Sequence, residues 1–232
     1  MNKKTIYRSM AGLVMVGFSL TSLTGCMEVT EPASNIATEG QIQNSPSSSE
    51  SFLMAMPAYF NKVNTSWVYD DGLHFPFGYG AIMYIRDLMT GDLLQSTKNY
   101  AIHFYYWAQN KYQGDGYLFG QYISTYYYNF ILTINNMVGA VNPENATDQQ
   151  LGYLGAGLAF RAMCYIDLAR MYEFLPNDRT SNINAEGNDV SGLTVPIVTA
   201  EMNQADALNN PRATHEKMKE FIESDLNKAE VY

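Results

Sequence analysis

Residues 118–141 read "LFGQYISTYYYNFILTINNMVGAV", and residues 149–174 read "QQLGYLGAGLAFRAMCYIDLARMYEF". In both stretches apolar residues recur at intervals of three and four, the spacing that puts side chains on one face of an α-helix. They are Phe119, Tyr122, Ile123, Tyr126, Phe130, Ile134, Met137 and Val138, then Leu151, Leu154, Leu158, Ala162, Tyr165, Ile166, Ala169 and Tyr172. Turn-forming residues separate the two stretches, and Pro176 follows the second. The sequence therefore predicts two long helices that form an antiparallel hairpin.

Shorter helical patterns lie on both sides of this hairpin. The first, at residues 50–60, contains Pro57, which predicts a kink or a division of the helix. The second is AIMYIRDLMTGD, which stops near Gly91. The last begins after Thr214, a good N-cap, and carries the apolar residues Met218, Phe221, Ile222, Leu226 and Ala229. We expect Glu220, Glu223, Asp225 and Lys228 to form its solvated face, and LTVPIVT, residues 193–199, to be strand-like.

The first 25 residues have the pattern of a bacterial secretory signal. A basic start is followed by the apolar stretch MAGLVMVGFSLTSL, which is too short for a spanning helix. Leu23-Thr24-Gly25-Cys26 then resembles a lipobox, in which the cysteine becomes the lipidated first residue; the alternative is an ordinary signal with a cysteine nearby. Residues 26–49 are poor in apolar side chains and predict a flexible tether, which leaves residues 50–232 as the domain.

Charge and cysteine content exclude several classes of function. The formal net charge is −9, and removal of the signal makes it more negative, so a nucleic-acid partner is not expected. With Cys26 lipidated, Cys164 has no disulfide partner, and its helical context predicts a small buried hydrophobic residue. We expect no cofactor and no metal. Asp70-Asp71 alone offers too few oxygens for calcium and is better explained as a solvated turn.

Several stretches together resemble one protein family. RAMCYIDLARMYEFLP is similar to the hallmark of the SusD/RagB surface lipoproteins of Bacteroidetes, and GYGAIMYIRDLMTGD, GLTVPIVT and NNPRATHEKMKEFIESDLNKAE resemble three more of its stretches in the same order. The resemblance implies a mostly α fold of tetratricopeptide-like hairpins with aromatic-rich loops. A small-large-small series, Ala162, Ile166 and Ala169, would let two such helices pack closely. A generic helical hairpin is the alternative on this spacing alone.

The resemblance also carries an expectation about length. Family members continue for roughly as much sequence again, so we expect this chain to correspond to a truncated, N-terminal SusD-like region. The apolar stripe of the last helix would then need a partner. We expect an uncovered apolar patch, marginal stability, self-association and weak glycan binding unless a second polypeptide supplies the rest.

The family's role is non-enzymatic. It implies capture of glycans at the outer-membrane surface, where the protein covers a SusC-like TonB-dependent transporter. Aromatic rings meet the C–H faces of sugars. Residues 64–80 form a segment broken by Gly and Pro that carries Trp67, Tyr69, Phe75, Phe77 and Tyr79. The alternative is that they pin this segment onto the helices. Asn99 and Tyr100 are further candidates, whereas Trp107 is predicted to be core.

Other functions remain open at this point. A RagB-like peptide collector would use the same fold and partner. A carboxylate glycoside hydrolase is the enzymatic alternative, although His74, His103 and His215 are scattered and no carboxylate pair stands out. Two side-chain pairs within the second long helix, Arg161 with Tyr165 and Arg170 with Asp167, are predicted to be structural.

Overall fold

Seven helices form the regular structure of the residues that the computed structural model describes, which are 46–60, 78–98, 102–113, 117–176 and 181–232. They are α1 (Pro46–Phe60), α2 (Tyr79–Thr90), α3 (Ile102–Trp107), α4 (Leu118–Ala140), α5 (Asp148–Tyr172), α6 (Gln204–Leu208) and α7 (His215–Val231). Within these ranges only isolated β-bridges occur, and no strand. The predicted fold class, mostly α, is confirmed.

The two long patterns are helices α4 and α5, and they pack as an antiparallel hairpin. Tyr127 contacts Asp167 while Asn135 contacts Arg161, so position along one helix rises as position along the other falls. Thr147 caps α5 with a capping box, because it accepts from the backbone N–H of Gln150 and the Gln150 side chain accepts from the Thr147 N–H. This satisfies N–H groups that the first turn would otherwise leave unpaired.

Glycines allow α5 to approach both of its neighbours closely. A Cβ added at Gly155 would lie 3.0 Å from the Ala229 carbonyl oxygen of α7, and one added at Gly157 would meet the Met137 side chain of α4. The predicted close-packing series is only partly right, since Ala162 is buried but Ile166 is 37% exposed. Helical periodicity predicts Ile166 on the packed face, but the close contacts of α5 occur at Gly155 and Gly157 instead.

Helix α7 folds back onto α5, and Thr214 caps it as predicted, by accepting from the Lys217 N–H. Its apolar stripe is partly covered: Met218 is buried and the Phe221 ring meets Tyr165 edge-to-face at 5.3 Å, but Leu226 remains 42% exposed. The prediction that Asp225 is solvated is wrong. Asp225 is 1% exposed, because it pairs with Arg161 of α5.

The strand-like prediction for residues 193–199 is also wrong, since this extended segment makes one isolated bridge, Leu193 to Thr214. Side chains of α4 donate hydrogen bonds to part of its backbone. The Pro196 carbonyl accepts from the Tyr128 hydroxyl at 2.7 Å, and the Val198 carbonyl accepts from the Asn135 amide at 3.0 Å. Backbone groups in an extended segment need partners. Helix α4 supplies some of them, and the Ala213 backbone supplies others, since it accepts from the Thr194 N–H at 2.8 Å and donates to the Val195 carbonyl at 3.1 Å.

Aromatic residues fill much of the core between α1, α4 and α5. Trp107 is 2% exposed, which confirms its predicted core position.

Helix α1 begins at Pro46 and runs through Pro57 as one helix, so Pro57 does not divide it. Among the described residues, no helix combines the length and the apolar character that a membrane span requires.

Candidate functional site

Most residues predicted to bind ligand lie outside the described part of the chain. This applies to Trp67, Tyr69, Phe75, Phe77, Asn99 and Tyr100, and equally to the lipidation candidate Cys26 and to Asp70-Asp71. Tyr79 is described. The site is therefore built from the residues that border the aromatic segment 61–77.

The described residues on either side of 61–77 lie against each other. Phe60 is the last residue of α1, Tyr79 is the first residue of α2, and their ring centroids are 4.9 Å apart with the planes at 77°. This edge-to-face geometry is one that aromatic pairs prefer. We refer to Tyr59, Phe60, Gly78 and Tyr79 together as the loop stem.

Two tyrosines of α4, one helical turn apart, bind the backbone of the loop stem. The Tyr126 hydroxyl donates to the Tyr59 carbonyl at 3.0 Å, and the Tyr122 hydroxyl donates to the Gly78 carbonyl at 3.2 Å. Tyr59 also stacks on Phe130, with centroids 4.5 Å apart and planes at 9°. Burial raises the pKa of Tyr59 to about 12, so its hydroxyl keeps its proton well above the ordinary value of about 10. The same helix thus holds both ends of the segment.

A buried carboxylate lies beneath the loop stem. Asp167 of α5 accepts from the Tyr127 hydroxyl at 2.8 Å, from the Tyr79 hydroxyl at 3.1 Å and from the Arg86 guanidinium at 3.0 Å. Burial raises the pKa of Tyr79 and Tyr127, and the nearby Asp167 carboxylate raises both further. Asp167 therefore joins α2, α4 and α5 through hydrogen bonds that compensate its burial.

These contacts correct the predicted pairs within α5. Asp167 pairs with Arg86 rather than with Arg170, and Arg161 pairs with Asp225 rather than with Tyr165. Local spacing could not reveal these partners, because they lie 81 and 64 residues away along the chain. Their structural role agrees with the sequence interpretation, although the partners differ.

Tyr79 is the one predicted ligand-binding residue whose environment the structure describes. It is half-buried, with its ring on Phe60 and its hydroxyl on Asp167. These contacts are those of a residue that anchors the aromatic segment to the hairpin. A ligand contact by Tyr79 stays a prediction, as it does for the other six residues.

The described residues offer little for catalysis or metal binding. Within these ranges, no three His, Cys, Asp or Glu side chains come together to hold a metal ion. Cys164 is fully buried, as predicted, and burial raises the pKa of its thiol, which suppresses the reactive thiolate. His215 contacts Glu173 at 2.8 Å in an exposed pair.

The hairpin, with a third helix folded onto it, defines a tetratricopeptide-like helical fold. The same fold occurs in the crystal structure of a SusD-like carbohydrate binding protein from Bacteroides vulgatus, with a TM-score of 0.53 and 19% sequence identity. The match covers 84% of this chain and 35% of that protein, so the chain spans about a third of its length. No family model and no curated protein matches the sequence. The chain thus has a SusD-like fold.

Proposed function

We propose that this chain is a non-catalytic, glycan-binding surface lipoprotein of the SusD/RagB kind. The observation that carries the proposal is the shared fold with a SusD-like carbohydrate binding protein, found independently of the sequence motifs. Fold alone does not determine function, so the argument also needs a site. The aromatic segment, held at both ends by the hairpin, is that site.

The held loop stem favours ligand binding by Trp67, Tyr69, Phe75 and Phe77. A segment whose ends are already together has lost part of the conformational entropy that ordering on a ligand would otherwise cost. Binding residues are commonly found on loops that a rigid scaffold positions, and here α4 and α5 are the scaffold. Asn99 and Tyr100 would add polar contacts to sugar hydroxyls. The formal charge of −9 favours a neutral glycan over a sulfated one.

Cys26 would hold this binding domain at the outer membrane. The lipobox-like sequence supports lipidation, and two or more acyl chains anchor a protein stably where one does not. Cys26→Ala should therefore release the chain from membranes or leave it unprocessed. Membrane partition that does not change, together with a mature protein that carries no lipid by mass spectrometry, would contradict the anchor.

Delivery to a SusC-like TonB-dependent transporter is the third part of the proposal. A binding protein tethered beside a transporter raises the local ligand concentration that the transporter meets. The support is the combination of a lipobox-like sequence with a SusD-like fold. Co-purification of the lipidated chain with a TonB-dependent transporter from native membranes is the expected result, and its loss in Cys26→Ala would show that the anchor contributes.

The ligand class is tested with the 232-residue chain on gels that contain immobilised polysaccharides. Retardation by at least one neutral polysaccharide is expected, with no release of labelled oligosaccharide over time. Release of label would indicate a glycoside hydrolase instead. Retention on peptides but on no polysaccharide would favour a RagB-like peptide collector and overturn the glycan proposal.

A further inference from the structure

A second group of tyrosines lies outside the aromatic segment 61–77. Tyr105, Tyr106, Tyr112 and Tyr117 form a continuous row, with successive ring centroids 5.6, 5.0 and 5.2 Å apart. Tyr112 is 48% exposed and Tyr117 is 49% exposed. We refer to these four residues as the tyrosine patch. Large aromatic side chains that share an exposed surface point to a binding function more strongly than single ones do.

The backbone at Tyr112 adopts an unusual conformation. Its φ is +59°, in the left-handed region that a bulky side chain rarely occupies. The turn that precedes Tyr112 is hydrogen-bonded to the end of α3: the Asn110 N–H donates to the Trp107 carbonyl at 2.8 Å, and the Lys111 N–H donates to the Tyr106 carbonyl at 3.0 Å. Trp107 is buried, so the turn is fixed to the core. Unfavourable backbone conformations that the surrounding structure enforces cluster at functional sites.

A lysine lies over the inner end of the patch. The Lys98 ammonium is 5.3 Å from the Tyr106 ring centroid and 5.9 Å from that of Tyr105, within the range of cation–π attraction. A hydrogen bond with the Tyr106 hydroxyl raises the pKa of Lys98, so the ammonium stays charged. The faces of Tyr105 and Tyr106 are thus partly occupied, whereas Tyr112 and Tyr117 are the exposed end.

The residue types of the tyrosine patch favour a sugar over a nucleic acid as its ligand. Single-stranded nucleic acid also stacks on aromatic rings, but it needs a basic groove, and this chain is acidic. A sugar ring presents C–H groups on its faces and hydroxyls at its edges. Phenol rings supply apolar faces, while tyrosine hydroxyls and the Lys98 ammonium supply polar partners at their margins.

We infer that the tyrosine patch is a second carbohydrate-binding site, in which the exposed rings of Tyr112 and Tyr117 stack on neutral pyranose rings. This inference rests on the proposed function and adds residues that the sequence motifs did not indicate.

Two substitutions remove the exposed rings while they preserve the backbone. Tyr112→Gly suits a φ of +59°, since glycine adopts positive φ freely. Tyr117 is the N-cap residue of α4 and makes no side-chain cap, so Tyr117→Ser supplies a capping hydroxyl while it removes the ring. Tyr112→Phe keeps the stacking face, and Tyr153→Ala, on α5, is the control for loss of a tyrosine elsewhere.

The test is titration of each full-length variant with an oligosaccharide that the wild-type chain binds, with the melting temperature measured in parallel. We expect Tyr112→Gly and Tyr117→Ser each to weaken binding about fivefold. Tyr112→Phe and Tyr153→Ala should stay within about twofold. Unchanged affinity in both ring-deleted variants overturns the second site and leaves the proposed function standing. Wild-type protein that binds no carbohydrate overturns both.

Discussion

Arg161 and Asp225 form a buried, bidentate ion pair between α5 and α7. The Arg161 Nε donates to Asp225 Oδ2 at 2.7 Å, and its Nη2 donates to Oδ1 at 2.8 Å. Asn135 of α4 accepts from the remaining Nη1 at 2.8 Å. The exposed fractions of Arg161 and Asp225 are 6% and 1%. One guanidinium therefore links the hairpin to the helix folded onto it.

Asp225→Asn should lower the free energy of unfolding by about 3–5 kcal/mol, because it leaves the Arg161 charge buried without a counter-ion. The double variant Arg161→Met/Asp225→Leu removes both charges and should recover most of that loss. Urea denaturation of the three proteins measures this. A loss below about 1 kcal/mol in Asp225→Asn would show that water reaches the pair.

Two glycines of α5 should respond oppositely to alanine. Nothing lies within 4 Å of a Cβ added at Gly152, so Gly152→Ala should stabilise the protein by about 0.5–1 kcal/mol through helix propensity. At Gly155 the added Cβ would lie 3.0 Å from the Ala229 backbone oxygen and 3.4 Å from Tyr232. Displacement of α7 should outweigh the propensity gain and cost about 1 kcal/mol net. Thermal unfolding compares the two, and equal stabilisation would mean that α7 does not pack closely at Gly155.

Tyr126→Phe tests the loop stem. The substitution keeps the ring but leaves the buried Tyr59 carbonyl without the hydroxyl 3.0 Å away, which should cost about 1–3 kcal/mol. The same change at Tyr153, whose hydroxyl accepts from the Gln149 amide in an exposed pair, should cost less than about 0.5 kcal/mol. Urea unfolding of both variants provides the comparison. Equal effects would remove the evidence that α4 holds the end of α1.

Stability should fall as the pH rises from about 10 to about 12. Burial raises the pKa of Tyr59 and of Tyr172 to about 12, above the ordinary value of about 10. The folded state then keeps protons that the unfolded chain has lost, so this stabilisation is complete below pH ~10 and is lost as the pH rises to ~12. Tyr59→Phe should show a shallower decline over this range. An unchanged slope would show that Tyr59 titrates normally in the folded protein.

Helical periodicity predicted the long elements because each buries a regular apolar face. The α4–α5 hairpin and the burial of Cys164 follow from local spacing, and the Thr214 cap follows from its residue type. The burial of Asp225 is not predictable from local spacing. A charged residue is expected on the solvated face of a helix, and only its distant partner Arg161 makes its burial favourable.

The candidate site was predictable in composition but not in geometry. The Gly- and Pro-broken aromatic segment is visible in the sequence, yet the contact between Phe60 and Tyr79 joins residues from two helices. Tyr122 and Tyr126 were assigned to a helix face on apolar spacing. Their hydroxyls, which bind the loop stem, give no signal in a periodic pattern. The tyrosine patch is not predictable from periodicity, because the turn that brings its rings together contains two residues with positive φ, Asn110 and Tyr112.

Calorimetric titration with a polysaccharide that retards the protein tests the central claim of carbohydrate binding most directly. The wild-type chain should bind with weak but saturable heat, and Trp67→Ala should weaken binding further, by about fivefold or more, through loss of one stacked ring, with unfolding unchanged. Tyr153→Ala should bind as the wild type does. Absence of saturable binding to every polysaccharide tested, in a chain that unfolds cooperatively, would contradict the account.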